Sequence, residues 1–117
     1  MFKKLRTVIY HVDDIDEAKA WYKNITGTDP YFDQPFYVGF DINGYELGLD
    51  NDRSNVETGN RSVAYWAVDN IESAVDKLTS NNASVISAVT EVGEGIKVAV
   101  LKDPFGNAVG LIEEAGK

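Results

Sequence analysis

The chain has 117 residues, 44% of them hydrophobic, no cysteine and a formal charge of −8. That length suits a single domain with a real core, burying roughly 65% of the surface its unfolded chain would expose. The negative charge makes nucleic acid and anionic membrane surfaces poor partners and cationic ligands better ones. The lack of cysteine excludes a disulfide framework, a thiolate nucleophile and a cysteine-held metal.

The opening Met1-Phe2-Lys3-Lys4-Leu5-Arg6 is basic, but the apolar run behind it is broken by His11, Asp13 and Asp14. Such a run is too short for a signal peptide or a membrane span, and a cytoplasmic location is expected. Alternation from Thr7 to Val12 predicts a strand. Asp14 is then placed to cap a helix over about Ile15 to Ile25, with Glu17 three residues on in a capping-box pattern and Gly27 ending it. Its core stripe is Ile15, Ala18, Tyr22 and Ile25, and Trp21 and Tyr22 read as packing residues. Next comes a pair of strand-like runs joined at Asn43-Gly44, a dipeptide suited to a two-residue hairpin turn. Asn51 to Arg61 is polar, lacks apolar periodicity and reads as a linker.

Behind the linker the pattern repeats. Val12-Asp13-Asp14-Ile15-Asp16-Glu17-Ala18 recurs as Val68-Asp69-Asn70-Ile71-Glu72-Ser73-Ala74, after a second alternating run, Val63 to Val68. Asn70 caps a helix over about Ile71 to Asn81, whose apolar face is Ile71, Ala74, Val75 and Leu78. A second strand pair is joined at Pro104-Phe105-Gly106. The unit is thus βαβββ written twice: an α+β fold in one domain, with module one at about 5–50, the linker at about 51–61 and module two at about 62–113.

Strand parity separates two faces. With Asn43-Gly44 as the turn, Ile42 pairs with Tyr45 and Asp41 with Glu46. Phe36, Val38, Phe40, Ile42, Tyr45, Leu47 and Leu49 then share a face fit to lie under a helix. Tyr37, Gly39, Asp41, Glu46, Gly48 and Asp50 share the open face, which is acidic and small-sided. In module two the same parity sends Ala64, Trp66, Val68, Ala99, Leu101, Val109 and Leu111 to the helix. Val63, Tyr65, Val98, Val100, Gly110 and Ile112 go to the open face, where apolar groups need a cover.

The Val-x-Asp step into an amphipathic helix bearing Trp21-Tyr22, together with the closing Asp103-Pro104-Phe105-Gly106-Asn107, resembles the vicinal oxygen chelate superfamily. That superfamily includes glyoxalase I, extradiol dioxygenases and bleomycin-resistance proteins, and the resemblance covers roughly Leu5 to Glu113. It implies two βαβββ modules with sheets curled into a cup, helices on the outer face, and a homodimer. Metal-dependent members place ligands at positions that fall here on Thr7, Val63 and Gly110, none of them an imidazole or a carboxylate. Glu46 is matched to the extra carboxylate that glyoxalase I supplies from its first half. One carboxylate is no metal site, so neither metal nor cofactor is expected.

Two main readings follow. In the first, the chain captures an amphipathic or cationic small molecule without turnover, using Thr7, Tyr37, Asp41, Glu46, Val63, Tyr65, Val98, Val100, Phe105 and Gly110, as bleomycin-resistance-like members do. In the second it is an enzyme of the lyase, isomerase or dioxygenase type with an atypical site built on Glu46 and His11, the latter on the open face with Thr7 and Ile9. The favoured reading of His11 is nonetheless a strand-end histidine that merely hydrogen-bonds a neighbouring carboxylate. A third reading, an accessory module acting through a protein contact, requires a filled cup, which Gly39, Gly48 and Gly110 oppose.

Overall fold

The structure, a computed structural model, describes every residue except 55, 58, 60, 61, 116 and 117. Positions 55, 58, 60 and 61 of the expected linker therefore lie outside the described residues. The chain divides into two compact units, Met1–Glu57 and residues 58–117, each of which contains one copy of the repeat.

Module one runs β1 (Thr7–His11), α1 (Ile15–Thr26), β2 (Phe32–Gln34), β3 (Tyr37–Ile42) and β4 (Tyr45–Asp50). Asp14 has extended backbone angles and its carboxylate accepts from the Glu17 N–H at 3.0 Å, so the capping residue starts α1 as its position requires. Gly27 ends the helix in the left-handed region at φ 69°, its N–H donated to the Lys23 carbonyl. The four strands form one mixed sheet in the order β1-β4-β3-β2, with β1 parallel to β4 and the other pairs antiparallel. The Asn43-Gly44 turn has φ of 52° and 91°, both positive, as a two-residue hairpin matched to strand twist demands. The Asp41 carboxylate accepts the Gly44 N–H and steadies it.

Under α1 lie Tyr10, Val38, Phe40, Leu47 and Leu49, packed with Ile15, Ala18 and Tyr22 of the helix. The Tyr10 and Tyr22 rings stack at 5.7 Å. Two residues assigned to this face, Phe36 and Tyr45, are exposed instead. Phe36 lies in the turn between β2 and β3, and Tyr45 is the first residue of β4.

Module two repeats the topology with β5 (Tyr65–Ala67), α2 (Ile71–Ser80), β6 (Ser84–Gly93), β7 (Ile96–Lys102) and β8 (Ala108–Glu113) in the order β5-β8-β7-β6. Asn70 caps α2 by accepting the Ser73 N–H, and the Glu113 carboxylate accepts the Ile71 N–H at 2.8 Å, which ties the helix start to β8. The helix closes in a Schellman motif: Ala83 N–H bonds Leu78 O and Asn82 N–H bonds Thr79 O, with Asn82 at φ 75°. The run expected over Val63 to Val68 is assigned strand only at Tyr65–Ala67. Its ladder nonetheless extends on both sides, through Gly110 N–H to Ala64 O and Val68 N–H to Ile112 O.

The turn between β7 and β8 is organised by Asp103, which is 4% exposed and accepts the N–H groups of Phe105 at 3.0 Å and Asn107 at 2.8 Å. An alanine there leaves two inward-facing donors without their acceptor. Asp103→Ala is expected to lower unfolding free energy by about 1–3 kcal/mol in urea titration, with Asp103→Asn closer to wild type because one acceptor oxygen survives.

Candidate functional site

The parallel register of β1 against β4 builds the site in module one. Thr7 stands opposite Glu46, and Glu46 opposite Asp41, so these three residues form one row on the open face. The next row is Ile9, Gly48, Gly39 and Phe32, and the third is His11, Asp50, Tyr37 and Gln34.

Glu46 is the centre. Its side chain is only 11% exposed, and it accepts hydrogen bonds from Tyr37 Oη at 2.8 Å and Thr7 Oγ1 at 3.1 Å. The Arg6 guanidinium pairs with Glu46 at 3.1 Å while donating to Thr7 Oγ1 at 2.7 Å. Tyr31 also hydrogen-bonds the carboxylate. Burial alone pushes the Glu46 carboxyl up, but the bonds from Tyr37, Thr7 and Tyr31 and the Arg6 charge outweigh it and hold the group below its ordinary value. Burial, and then the bond to Glu46, push the Tyr37 phenol up to about 12. Tyr31 is raised too, chiefly by its bond to the same carboxylate.

Beside Glu46 a cleft of about 170 Å³ is lined by Arg6, Tyr31, Asp41, Gly44, Tyr45 and Glu46. Asp41 and Glu46 were legible as site residues from strand parity. Arg6, Tyr31 and Tyr45 were not: Arg6 reaches the row only through the parallel pairing of β1 with β4, and Tyr31 precedes an edge strand three residues long.

His11 does not join this group. It pairs in register with Asp50, four residues from Thr7, which places it about 13 Å along the strand. Its Nδ1 lies 3.0 Å from the Asp52 carbonyl oxygen. The joint Glu46 and His11 site of the enzyme reading is therefore corrected, because four strand residues separate the two.

The register also corrects the match made for Glu46. Ile9 and Tyr65 are equivalent in the repeat; Ile9 faces Gly48 and Tyr65 faces Gly110. The internal counterpart of Gly110 is thus Gly48, and Glu46 corresponds to Ala108. Both glycines lie beneath a tyrosine. A Cβ on Gly48 would collide with the Tyr37 hydroxyl, and one on Gly110 would come within 2.7 Å of Tyr65 Cδ2 and 2.9 Å of Ala64 O. Thr7 is committed to Glu46 and Arg6, and Val63, half-buried just before β5, has no donor atom. Among the described residues no three of His, Cys, Asp and Glu converge as a metal site. These positions do not fit a divalent cation.

In module two, Tyr65, Gly110 and Val100 share one row, with Val98 and Ile112 in the next. Tyr65 is exposed, Val100 is buried, and Val98 is half-buried. Phe105 is half-buried in the Asp103 turn. This face carries no carboxylate in those rows, unlike its counterpart.

The profile of the Glyoxalase/Bleomycin resistance protein/Dioxygenase superfamily matches residues 4–111. Solved structures of similar fold include a glyoxalase/bleomycin resistance protein/dioxygenase family enzyme from Burkholderia phytofirmans PsJN, at 24% identity and TM-score 0.77, covering 95% of this chain and 98% of that one. Lactoylglutathione lyase from Agrobacterium tumefaciens is similar at 18% identity and TM-score 0.74, with 97% of each chain covered. A glyoxalase-related enzyme from Fulvimarina pelagi is similar at 13% identity and TM-score 0.77, covering 97% of this chain and 89% of that one. At such identities the likeness is one of fold. No curated protein matches the chain.

Three outcomes follow from these contacts. Gly48→Ala should cost about 1–3 kcal/mol of stability by overpacking against Tyr37, and the loss should shrink in a Tyr37→Ala background, as a double-mutant cycle would measure. Tyr37, raised from 10.0 to about 12, stabilises the fold fully below pH 10 and ceases to as pH rises through about 12. Absorbance titration should show a late phenol that is missing in Tyr37→Phe. Glu46, lowered in the fold, contributes above its ordinary value and loses that contribution as pH falls.

Proposed function

Since the chain belongs to the glyoxalase/bleomycin resistance protein/dioxygenase superfamily, we propose that it is a metal-independent binding protein holding a small amphipathic, cationic molecule against the open face of module one. The observation that carries this reading is the pairing of a satisfied Glu46 with a neighbouring carboxylate that has no Lys or Arg counterion among the described residues, in a cleft that Tyr31 also lines. Glu46 already receives Tyr37, Thr7, Tyr31 and Arg6. A carboxylate so surrounded is a weak base and organises the site rather than taking a proton. Asp41 keeps its charge for a ligand: it accepts one backbone N–H, and no Lys or Arg among the described residues pairs with it.

Tyr31 and Tyr45, 60% and 58% exposed, line the same cleft, Tyr31 beside the Glu46 carboxylate. Rings of this kind attract both planar molecules and cations. At about 170 Å³ the cleft is smaller than the ~300–1,000 Å³ of drug-sized sites, so on its own it suits a ligand of one ring and its substituents. Capture without turnover is the mode expected of bleomycin-resistance-like relatives. Tyr65, Val63, Val98, Val100, Phe105 and Gly110 of module two enter the proposal as a second, apolar surface of their own unit.

The chain is further proposed to form a homodimer and to reside in the cytoplasm. The lack of cysteine supports a reducing compartment, and among the described residues no helix is long and apolar enough to cross a membrane. Light-scattering mass across a dilution series tests the dimer, and a constant monomer mass would refute it.

Benzylamine is a suitable first probe for the cation. Calorimetric affinity should fall about two- to fivefold in Asp41→Asn and weaken as salt rises past about 0.1 M, where screening sets in over ~10 Å. Equal affinity in wild type and Asp41→Asn, or binding indifferent to salt, would count against the proposal.

A further inference from the structure

The cleft has a positive end as well as a negative one. Arg6 uses Nη1 for both Thr7 Oγ1 and Glu46 Oε1, yet its side chain is 70% exposed. Guanidinium carries five N–H donors in a fixed plane, so those on Nε and Nη2 stay available to the cleft that Arg6 lines. Asp41 stands on the other side of Glu46. Each neighbouring strand lies about 4.8 Å from β4, so the backbones bearing Arg6 and Asp41 are about 10 Å apart, with the Glu46 carboxylate between them.

Glu46 neutralises Arg6 only in part of its donor fork and repels any ligand anion placed directly above it. It leaves the two ends open to opposite charges. Tyr31 and Tyr45 line the same cleft, and Tyr31, beside the Glu46 carboxylate, adds aromatic surface to it.

From this arrangement we infer that the ligand is dipolar: a one-ring molecule carrying an ammonium for Asp41 and a carboxylate for Arg6 at opposite ends. The inference rests on the proposed binding role of the cleft and adds the anionic end to it. A simple cation satisfies Asp41 and leaves Arg6 to water. A simple anion meets Arg6 and is opposed by Asp41 and by the charge of −8 on the chain. Only a dipolar molecule gains at both ends, and it carries no net charge against the protein's field.

Three matched probes separate the possibilities: para-aminomethylbenzoate, which has both groups, benzylamine, which lacks the carboxylate, and benzoate, which lacks the ammonium. Titrations followed by amide chemical shifts give each affinity and locate it, with Gly44 and Tyr45 as reporters. Para-aminomethylbenzoate should bind at least about threefold more tightly than either analogue. Arg6→Gln should erase its advantage over benzylamine, and Asp41→Asn its advantage over benzoate. Thermal unfolding of each variant, recorded alongside, separates lost contacts from lost fold.

If benzylamine binds as tightly as the dipolar probe, the dipolar inference fails while the cationic binding role stands. It fails in the same way if Arg6→Gln, still folded, keeps the full preference. If none of the three probes shifts the cleft residues, both readings fall.

Discussion

A carboxylate nine-tenths withdrawn from water has to be surrounded by donors, and module one is arranged around that requirement at Glu46. Its oxygens are served from the start of β1 by Thr7 and Arg6, from β3 by Tyr37 and from the segment before β2 by Tyr31. Those donors come from three different strands or their flanks, so satisfying one residue links the sheet from β1 across to β2. The arrangement also dictates glycine at Gly48 and Gly39. Tyr37 reaches Glu46 across Gly48, and a Cβ on Gly39 would sit 2.8 Å from Glu46 Oε2 and 3.2 Å from the Tyr31 ring. Side chains at either position would block the donors from their acceptor.

The two modules share a topology and differ in chemistry at equivalent places. Glu46 has Ala108 as its counterpart, so module two has no carboxylate to serve at that position of its open face, and Tyr65 lies over Gly110 with no such anchor. Duplication preserves what packing needs, namely the helix cap, the apolar stripe and the strand order. It leaves the open faces free to diverge, because hydrogen-bond demand there depends on single side chains. The positions that metal-dependent relatives would fill with carboxylates are, at Gly48 and Gly110, spaces taken by tyrosine. Aromatic surface and an ordered carboxylate stand where metal chemistry would otherwise be built. That contrast supports the proposed binding role.

Much of the architecture was legible in the sequence, because it rests on local rules. Asp14 and Asn70 are caps by chemistry, Asn43-Gly44 is a hairpin turn by its positive φ, and alternation assigns Val38, Phe40, Leu47 and Leu49 to the core. The short edge strand β2 and the bulged β6 have no such signature. Three residues are too few for a period, and register shifts break the alternation of β6. Tyr45 pairs with Ile42 as parity requires and still lies exposed, since parity names a face without saying how far a helix covers it, while Phe36 falls in a turn, where parity does not apply.

The candidate site divides along the same line. Parity placed Tyr37, Asp41 and Glu46 on one open face, and the antiparallel hairpin that joins them is set by its own turn. The register of β1 on β4 has no local determinant, because a parallel pair is connected through a helix and two further strands. It is decided only when α1 packs and both strands present their apolar sides together. That single register puts Thr7 and Arg6 beside Glu46, carries His11 to the far end of the strand, and makes Gly48 rather than Glu46 the internal equivalent of Gly110. Sequence by itself determined the repeat, the caps, the turns and the composition of each face. Tertiary structure decided which side chains of different strands meet, because that depends on long-range pairing free energies rather than on any residue's immediate neighbours.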